Sequence, residues 1–189
     1  MNGEKKPSNK TVVFIGHTDT VGISDYGNLA EYATKPDELV EKLKEVSLRQ
    51  EVKDDMASGK YIFGRGIFDM KSGDANVMGI MEEDSKDIEN FEGNIIFAAV
   101  CDEEGNSQGM LAFVPELIRL KKEFGYDYQA MLDPDYIAPA YPGDPNVYQY
   151  IGTVGKLMPT FYVVGKETHV GESFSGLDPN QIAAEITRR

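Results

Sequence analysis

Three short stretches of the chain end on side chains that can hold a metal ion or move a proton. Asp102-Glu103-Glu104 follows the apolar run Ile95-Ile96-Phe97-Ala98-Ala99-Val100. Gly16-His17-Thr18-Asp19 follows Val12-Val13-Phe14-Ile15, and Asp133 follows Ala130-Met131-Leu132. The first two runs read as buried strands and the third as a strand, and in open α/β sheets ligands gather outside the carboxyl ends of the strands, so the three clusters can converge on one crevice. Acids in that position are partly desolvated unless paired, and one divalent cation pairs with several at once. Taken alone, an acidic tripeptide is usually a solvated surface, and a single histidine near a strand end is more often a hydrogen-bonded core residue than a ligand. Asp19 changes the second reading, because a carboxylate beside an imidazole can fix the tautomer that leaves the other ring nitrogen free for metal. The chain has two histidines, His17 and His169. On residue chemistry alone His169 reads as a surface-loop side chain.

The elements that must position these groups alternate between strand and helix, which predicts an α/β fold with a mostly parallel sheet and flanking helices. Val12–Ile15 is a continuous β-branched and aromatic run, as in a strand buried on both faces. From Pro36, the spacing of Leu39, Val40, Leu43 and Val46 is helical, with Asp37 and Glu38 at the positive end of the dipole. Tyr61-Ile62-Phe63 reads as a short strand ending in Gly64-Arg65-Gly66. Asp69 then opens a helix whose stripe of Met70, Val77, Met78 and Met81 is core-like. Met110–Phe124 is helical in composition, with a new first turn or kink expected at Pro115 and a stop at Gly125. Val147–Val154 and Leu157–Val164 read as two longer strands flanking Gly155, where a domain boundary is expected, and Asp178-Pro179 opens a last helix.

Composition narrows the function classes. With 189 residues, 41% of them hydrophobic, the chain can bury a substantial core. A net charge of −13 and a pI near 4.6 repel nucleic acid and anionic membrane alike, and weakly favour cations. The single cysteine, Cys101, excludes an internal disulfide, suits a reducing cytosol and is expected in the core. No apolar stretch approaches the roughly 20 residues that span a bilayer, and Met1–Pro7 has no signal-peptide character, so a cytoplasmic protein is expected.

Three ordered motifs carry a family resemblance. Gly16-His17-Thr18-Asp19-Thr20-Val21-Gly22, Gly64-Arg65-Gly66-Ile67-Phe68-Asp69-Met70-Lys71-Ser72-Gly73 and Asp102-Glu103-Glu104-Gly105 resemble the signatures of the M20 family of zinc peptidases and amidohydrolases. Ile23, Asp25-Tyr26-Gly27 and Asp133-Pro134-Asp135 are similar to its arginine-utilisation (RocB-type) branch. The resemblance implies two zinc ions, with Mn²⁺ or Co²⁺ able to use the same donors. His17 and Asp133 would bind the first, Glu104 the second, and Asp69 would bridge both. Asp19 would orient His17, Glu103 would be the general base, and a cis peptide would follow Asp69. Asp135 competes with Asp133 for its role. His169 would reach the oxyanion from an inserted α+β lid, often from the partner subunit of a homodimer. On this pattern residues 1–154 are an incomplete catalytic domain and 155–189 the start of a truncated lid, so the chain is expected to be a fragment that lacks the last zinc ligand. The implied activity is metal-dependent hydrolysis of an amide or peptide bond in a small amino-acid derivative or peptide. A non-catalytic relative kept for binding or assembly is the alternative. A structural Ca²⁺ site is weaker, because histidine is a poor ligand for so hard a cation.

Overall fold

The computed structural model describes residues 8–152 and 159–188. They pack as two units, divided between Asn146 and Val147. The expected boundary residue Gly155 and the outer ends of the two expected strands around it lie outside the described residues.

The first unit is built on a parallel sheet of three strands in the order β2-β1-β3, with β1 at Lys10–His17, β2 at Asn94–Val100 and β3 at Asp127–Leu132. This is the α/β class anticipated from the alternation of strand and helix patterns. Because every strand runs the same way, all three carboxyl ends fall on one edge. Register sets their heights. His17 pairs with Val100, so the acids after β2 emerge level with the imidazole. Phe14 pairs with Leu132, so β3 ends three residues lower and its continuation reaches the level of His17 at Asp135. At the opposite end, Thr11 is fully buried, and Asn94 donates from its side-chain amide to the Ser8 carbonyl at 2.8 Å and the Lys10 carbonyl at 3.2 Å.

Helices flank the sheet. Those between β1 and β2 are α1 (Pro36–Leu43), α2 (Gln50–Ser58) and α3 (Ser72–Ser85). α4 (Gln108–Phe124) joins β2 to β3. Pro36 occupies the first turn of α1, as its fixed φ and missing N–H allow. Gly125 ends α4 at φ 71°, a left-handed cap that a side chain would resist. Val13, Ala33, Leu39, Met70, Val77, Ile95 and Leu117 form the buried apolar set among the described residues. Tyr128 pins β3 to α4 by donating its hydroxyl to the Leu117 carbonyl at 2.7 Å.

Several expected elements differ. α4 starts at Gln108 and runs through Pro115 as one helix. Tyr61-Ile62-Phe63 is not a strand: Tyr61 and Ile62 are exposed, and no partner strand among the described residues offers a ladder. A three-residue apolar run has too little periodicity to decide. α2 and the short 3-10 segments over Ser24–Tyr32, broken at Gly27, carry no strong apolar stripe and were not anticipated. Cys101 is exposed rather than core, because the chain turns outward directly after β2, with Asp102 at φ 62°.

In the second unit, residues 147–152 and 159–164 form no strand among the described residues. Val147, Ile151 and Tyr162 are almost wholly exposed. Alternating apolar side chains make a strand only where another strand completes the ladder. The ordered features here are a lone antiparallel bridge from Lys166 to Leu177, a short turn over Val170–Ser175, and α5 (Pro179–Arg188), which begins where Asp178-Pro179 predicts. Among the described residues no helix is long and apolar enough to cross a membrane.

Two glycines on α3 give opposite expectations. A Cβ at Gly73 would sit 2.3 Å from the Pro134 carbonyl oxygen, which is backbone and cannot rotate away. A Cβ at Gly79 would meet nothing within 4 Å. Gly73→Ala should therefore destabilise by about 1–3 kcal/mol through overpacking, while Gly79→Ala should stabilise by about 0.5–1 kcal/mol through helix propensity. Urea denaturation of the two variants checks this. Equal shifts would mean that Pro134 yields freely and does not lean on α3.

Candidate metal centre

His17, the last residue of β1, is 1% exposed and has an oxygen close to each ring nitrogen. Nδ1 lies 3.0 Å from the Asp19 carbonyl oxygen, which can only accept, so the neutral ring carries its proton on Nδ1 and turns the Nε2 lone pair to the crevice. Around Nε2 stand Asp69 Oδ1 at 3.0 Å, Asp135 Oδ2 at 3.8 Å and Glu103 Oε2 at 3.9 Å. Burial pushes the imidazole pKa down, but the Asp19 carbonyl and then the Glu103, Asp135 and Asp69 charges outweigh it and leave the pKa raised.

Asp69 sits in a wide five-residue turn, Ile67–Lys71, that leads into α3. Its peptide bond to Met70 is cis, as the family resemblance implied. Met70 is buried, which anchors the turn beneath the crevice.

The acidic tripeptide divides into three roles. Asp102 supports the loop: its carboxylate accepts the N–H of Gln108, the first residue of α4, at 3.2 Å. Glu104 turns inward, and its Oε1 accepts the Val21 N–H at 3.2 Å. Burial, and then the charge of Asp69, raise the Glu104 pKa. Donor atoms of His17, Asp69 and Glu104 all lie within 4.8 Å of one another. Glu103 stays half exposed at the rim.

Asp19 joins the two motifs. Its carbonyl holds the imidazole, while its carboxylate, 3.7 Å from Nδ1, accepts the main-chain N–H of Glu103 and of Glu104, each at 3.1 Å. Desolvation alone would raise this carboxyl, but those two N–H groups hold it below the ordinary value.

Of the two acids after β3, Asp135 is the one beside the imidazole. Asp133 is exposed, and desolvation, followed by the charge of Asp135, raises its pKa. His169 belongs to the second unit, where it is exposed and its Nδ1 accepts the Gly171 N–H at 3.1 Å.

Asp74 was not anticipated. Its Oδ1 is buried with no hydrogen-bond partner among the described residues, so close to Gly16 that a Cβ there would lie 2.0 Å away. Burial raises its pKa. The signal was present in the sequence: Asp74 falls on the helical stripe of Met70, Val77, Met78 and Met81, of which Met78 is exposed rather than core, and an acid has no packing reason to be on its buried side.

The donor set suits a divalent cation. Asp69, Glu103, Glu104 and Asp135 crowd one imidazole, and the nearby Lys71 ammonium reaches the Thr18 carbonyl at 3.4 Å. Mixed imidazole and carboxylate donors match zinc and its neighbours in the first transition row.

Comparison with known proteins agrees with this arrangement. Residues 13–147 match the family described as Peptidase family M20/M25/M40. The chain is 43% identical over 182 residues to Protein RocB of Bacillus subtilis (strain 168), covering 96% of this chain and 32% of that protein. It is 40% identical over 187 residues to the uncharacterized protein YqjN of the same organism, covering 98% of this chain and 34% of that one. A succinyl-diaminopimelate desuccinylase of Buchnera aphidicola subsp. Cinara cedri is 32% identical over 114 residues, 60% of this chain and 25% of its own length. The chain thus spans about a third of the length of the first two relatives. No solved structure matches significantly. With three ordered motifs, a parallel sheet that gathers them at one edge, and a match over most of its length, the chain belongs to peptidase family M20/M25/M40.

Proposed function

We propose that the protein is a metal-dependent hydrolase of amide or peptide bonds, acting on a small amino-acid derivative or peptide. The observation that carries this reading is the gathering of His17, Asp69 and Glu104 donor atoms within 4.8 Å at the carboxyl edge of the sheet. His17 offers Nε2 because Asp19 holds Nδ1, and Asp69 and Glu104 add carboxylate oxygens. Asp135, or Asp133 after a small turn of the chain, would complete the set. Zinc held there, with Mn²⁺ or Co²⁺ as substitutes, would supply Lewis acidity to a carbonyl and make a nearby water more acidic. Glu103 would take the proton of an attacking water and return it to the departing amine. Two relatives, the one of Buchnera aphidicola already described and one of Vesicomyosocius okutanii, bear the name succinyl-diaminopimelate desuccinylase. A role in arginine use follows from the branch resemblance, and His169, lid and homodimer belong to the same proposal for residues 155–189.

The test is a hydrolysis screen of N-acylated amino acids and dipeptides, arginine-containing ones included, with and without zinc. It is run on the 189-residue chain and on one extended to the length of its relatives. Zinc-dependent amine release that a chelator stops is the expected result. Metal uptake without turnover of any substrate by either form would sink the hydrolase reading.

A further inference from the structure

Leu39, Val40, Leu43 and Val46 make an apolar stripe that the core uses only in part. Of the four, Leu39 alone is buried. Val40, Leu43 and Val46 instead join Leu48 and Met56 in lining a groove of about 420 Å³ between α1 and α2, a volume that suits a small ligand. α2 contributes no buried residue of its own, so the core does not account for this apolar surface.

Charge is distributed unevenly around the groove. The segment from Pro36 to Ser58 carries seven acids, and none of them lines it; the two charged residues that do, Lys44 and Lys53, are both cations. Lys44 pairs with Glu41 at 2.6 Å, but both side chains are more than half exposed, where such a pair contributes little. The Lys53 ammonium has no partner among the described residues. On a chain of net charge −13 an anion meets a repulsive surface almost everywhere, so two lysines beside an apolar groove mark a place where one is attracted. The lining holds no aromatic ring. Its Val and Leu side chains and the pliable thioether of Met56 fit a flexible alkyl chain better than a flat ring. The groove shares no lining residue with the cavity walled by Arg65, Asp69 and Glu104.

We propose that the groove between α1 and α2 binds a free aliphatic carboxylate, an anion with an unbranched alkyl tail such as a fatty acid. The tail lies along Leu43, Leu48 and Met56, and the carboxylate meets Lys44 and Lys53. This site stands apart from the hydrolytic chemistry and does not depend on it.

The experiment is calorimetry of octanoate, decanoate and decyltrimethylammonium with the 189-residue chain, below the concentrations at which they form micelles and both with and without zinc. Decanoate should bind about tenfold more tightly than octanoate, because two further methylenes leave water. The cation of the same tail length should bind about fivefold more weakly than decanoate. Zinc should change neither result. Val46→Asp puts an anion into the groove at a position already 40% exposed, and should weaken decanoate by about tenfold or more. Replacing Lys44 and Lys53 together by Gln should bring decanoate and the cation within about twofold. If Val46→Asp fails to fold, the lysine pair decides, since both side chains are exposed. The proposal is overturned by an absence of decanoate binding, by binding that appears only with zinc and so belongs to the metal centre, by binding untouched by Val46→Asp, or by a charge preference that outlasts both lysines. A dimer in sedimentation that Val46→Asp splits overturns it too, since a second copy of the chain would then fill the groove.

Discussion

Glu103→Gln should reduce hydrolysis by about 10²–10⁴-fold while leaving metal uptake intact. The two glutamates of the acidic loop differ in what their carboxylates do. Glu104 accepts the Val21 N–H and belongs to the close group with His17 and Asp69. Glu103 is fixed through its main-chain N–H, which Asp19 holds, and its carboxylate stands 3.9 Å from His17 Nε2 at the rim. A proton carrier needs that placement, close to the reacting centre and open to solvent. Gln has the shape of Glu but cannot take the proton, so the loop should keep its fold. The measurement pairs turnover with zinc content, in whichever form of the protein is active. Unchanged turnover would move the base elsewhere, and a loss of zinc would make Glu103 a ligand instead.

The second large effect is expected at Asp69. Asp69→Ala should weaken zinc binding by at least about 100-fold, because an oxygen is lost from the middle of the donor set and His17 Nε2 loses its nearest carboxylate, at 3.0 Å. Competition against a chelator of known affinity measures it. The fold should survive, since Met70, and not Asp69, fills the buried position of the turn. Affinity within a few fold of the native chain would show that the cation sits elsewhere in the acidic crevice.

The sheet and the convergence of three strand ends were legible in the sequence because each end couples two independent signals. An apolar run marks the strand, and an acid or histidine immediately after it has no reason to be there unless something pairs with it. Pro36, Gly125 and Asp178-Pro179 were legible for a related reason, since each has one strong backbone preference. Other features depend on partners far along the chain. Which of Asp133 and Asp135 meets His17 is decided by the register of β3 on β1, set by pairings such as Phe14 with Leu132. The apolar alternation of residues 147–164 is real, but strand formation needs a neighbour that the described residues do not supply. That Arg65, inside the second motif, shares a cavity with Asp69 and Glu104 is set by the fold and not by local sequence.

The carboxylate of Asp19, bonded at once to the N–H groups of Glu103 and Glu104, bears on how tightly a ligand can be held. A free acidic loop samples many conformations and must give them up on binding, at an entropic cost that subtracts from affinity. Here that freedom is surrendered during folding, by a single side chain rooted two residues from the imidazole. Affinity at the crevice should accordingly depend on the folding of β1 and the loop as one body, with little ordering left for the cation to impose.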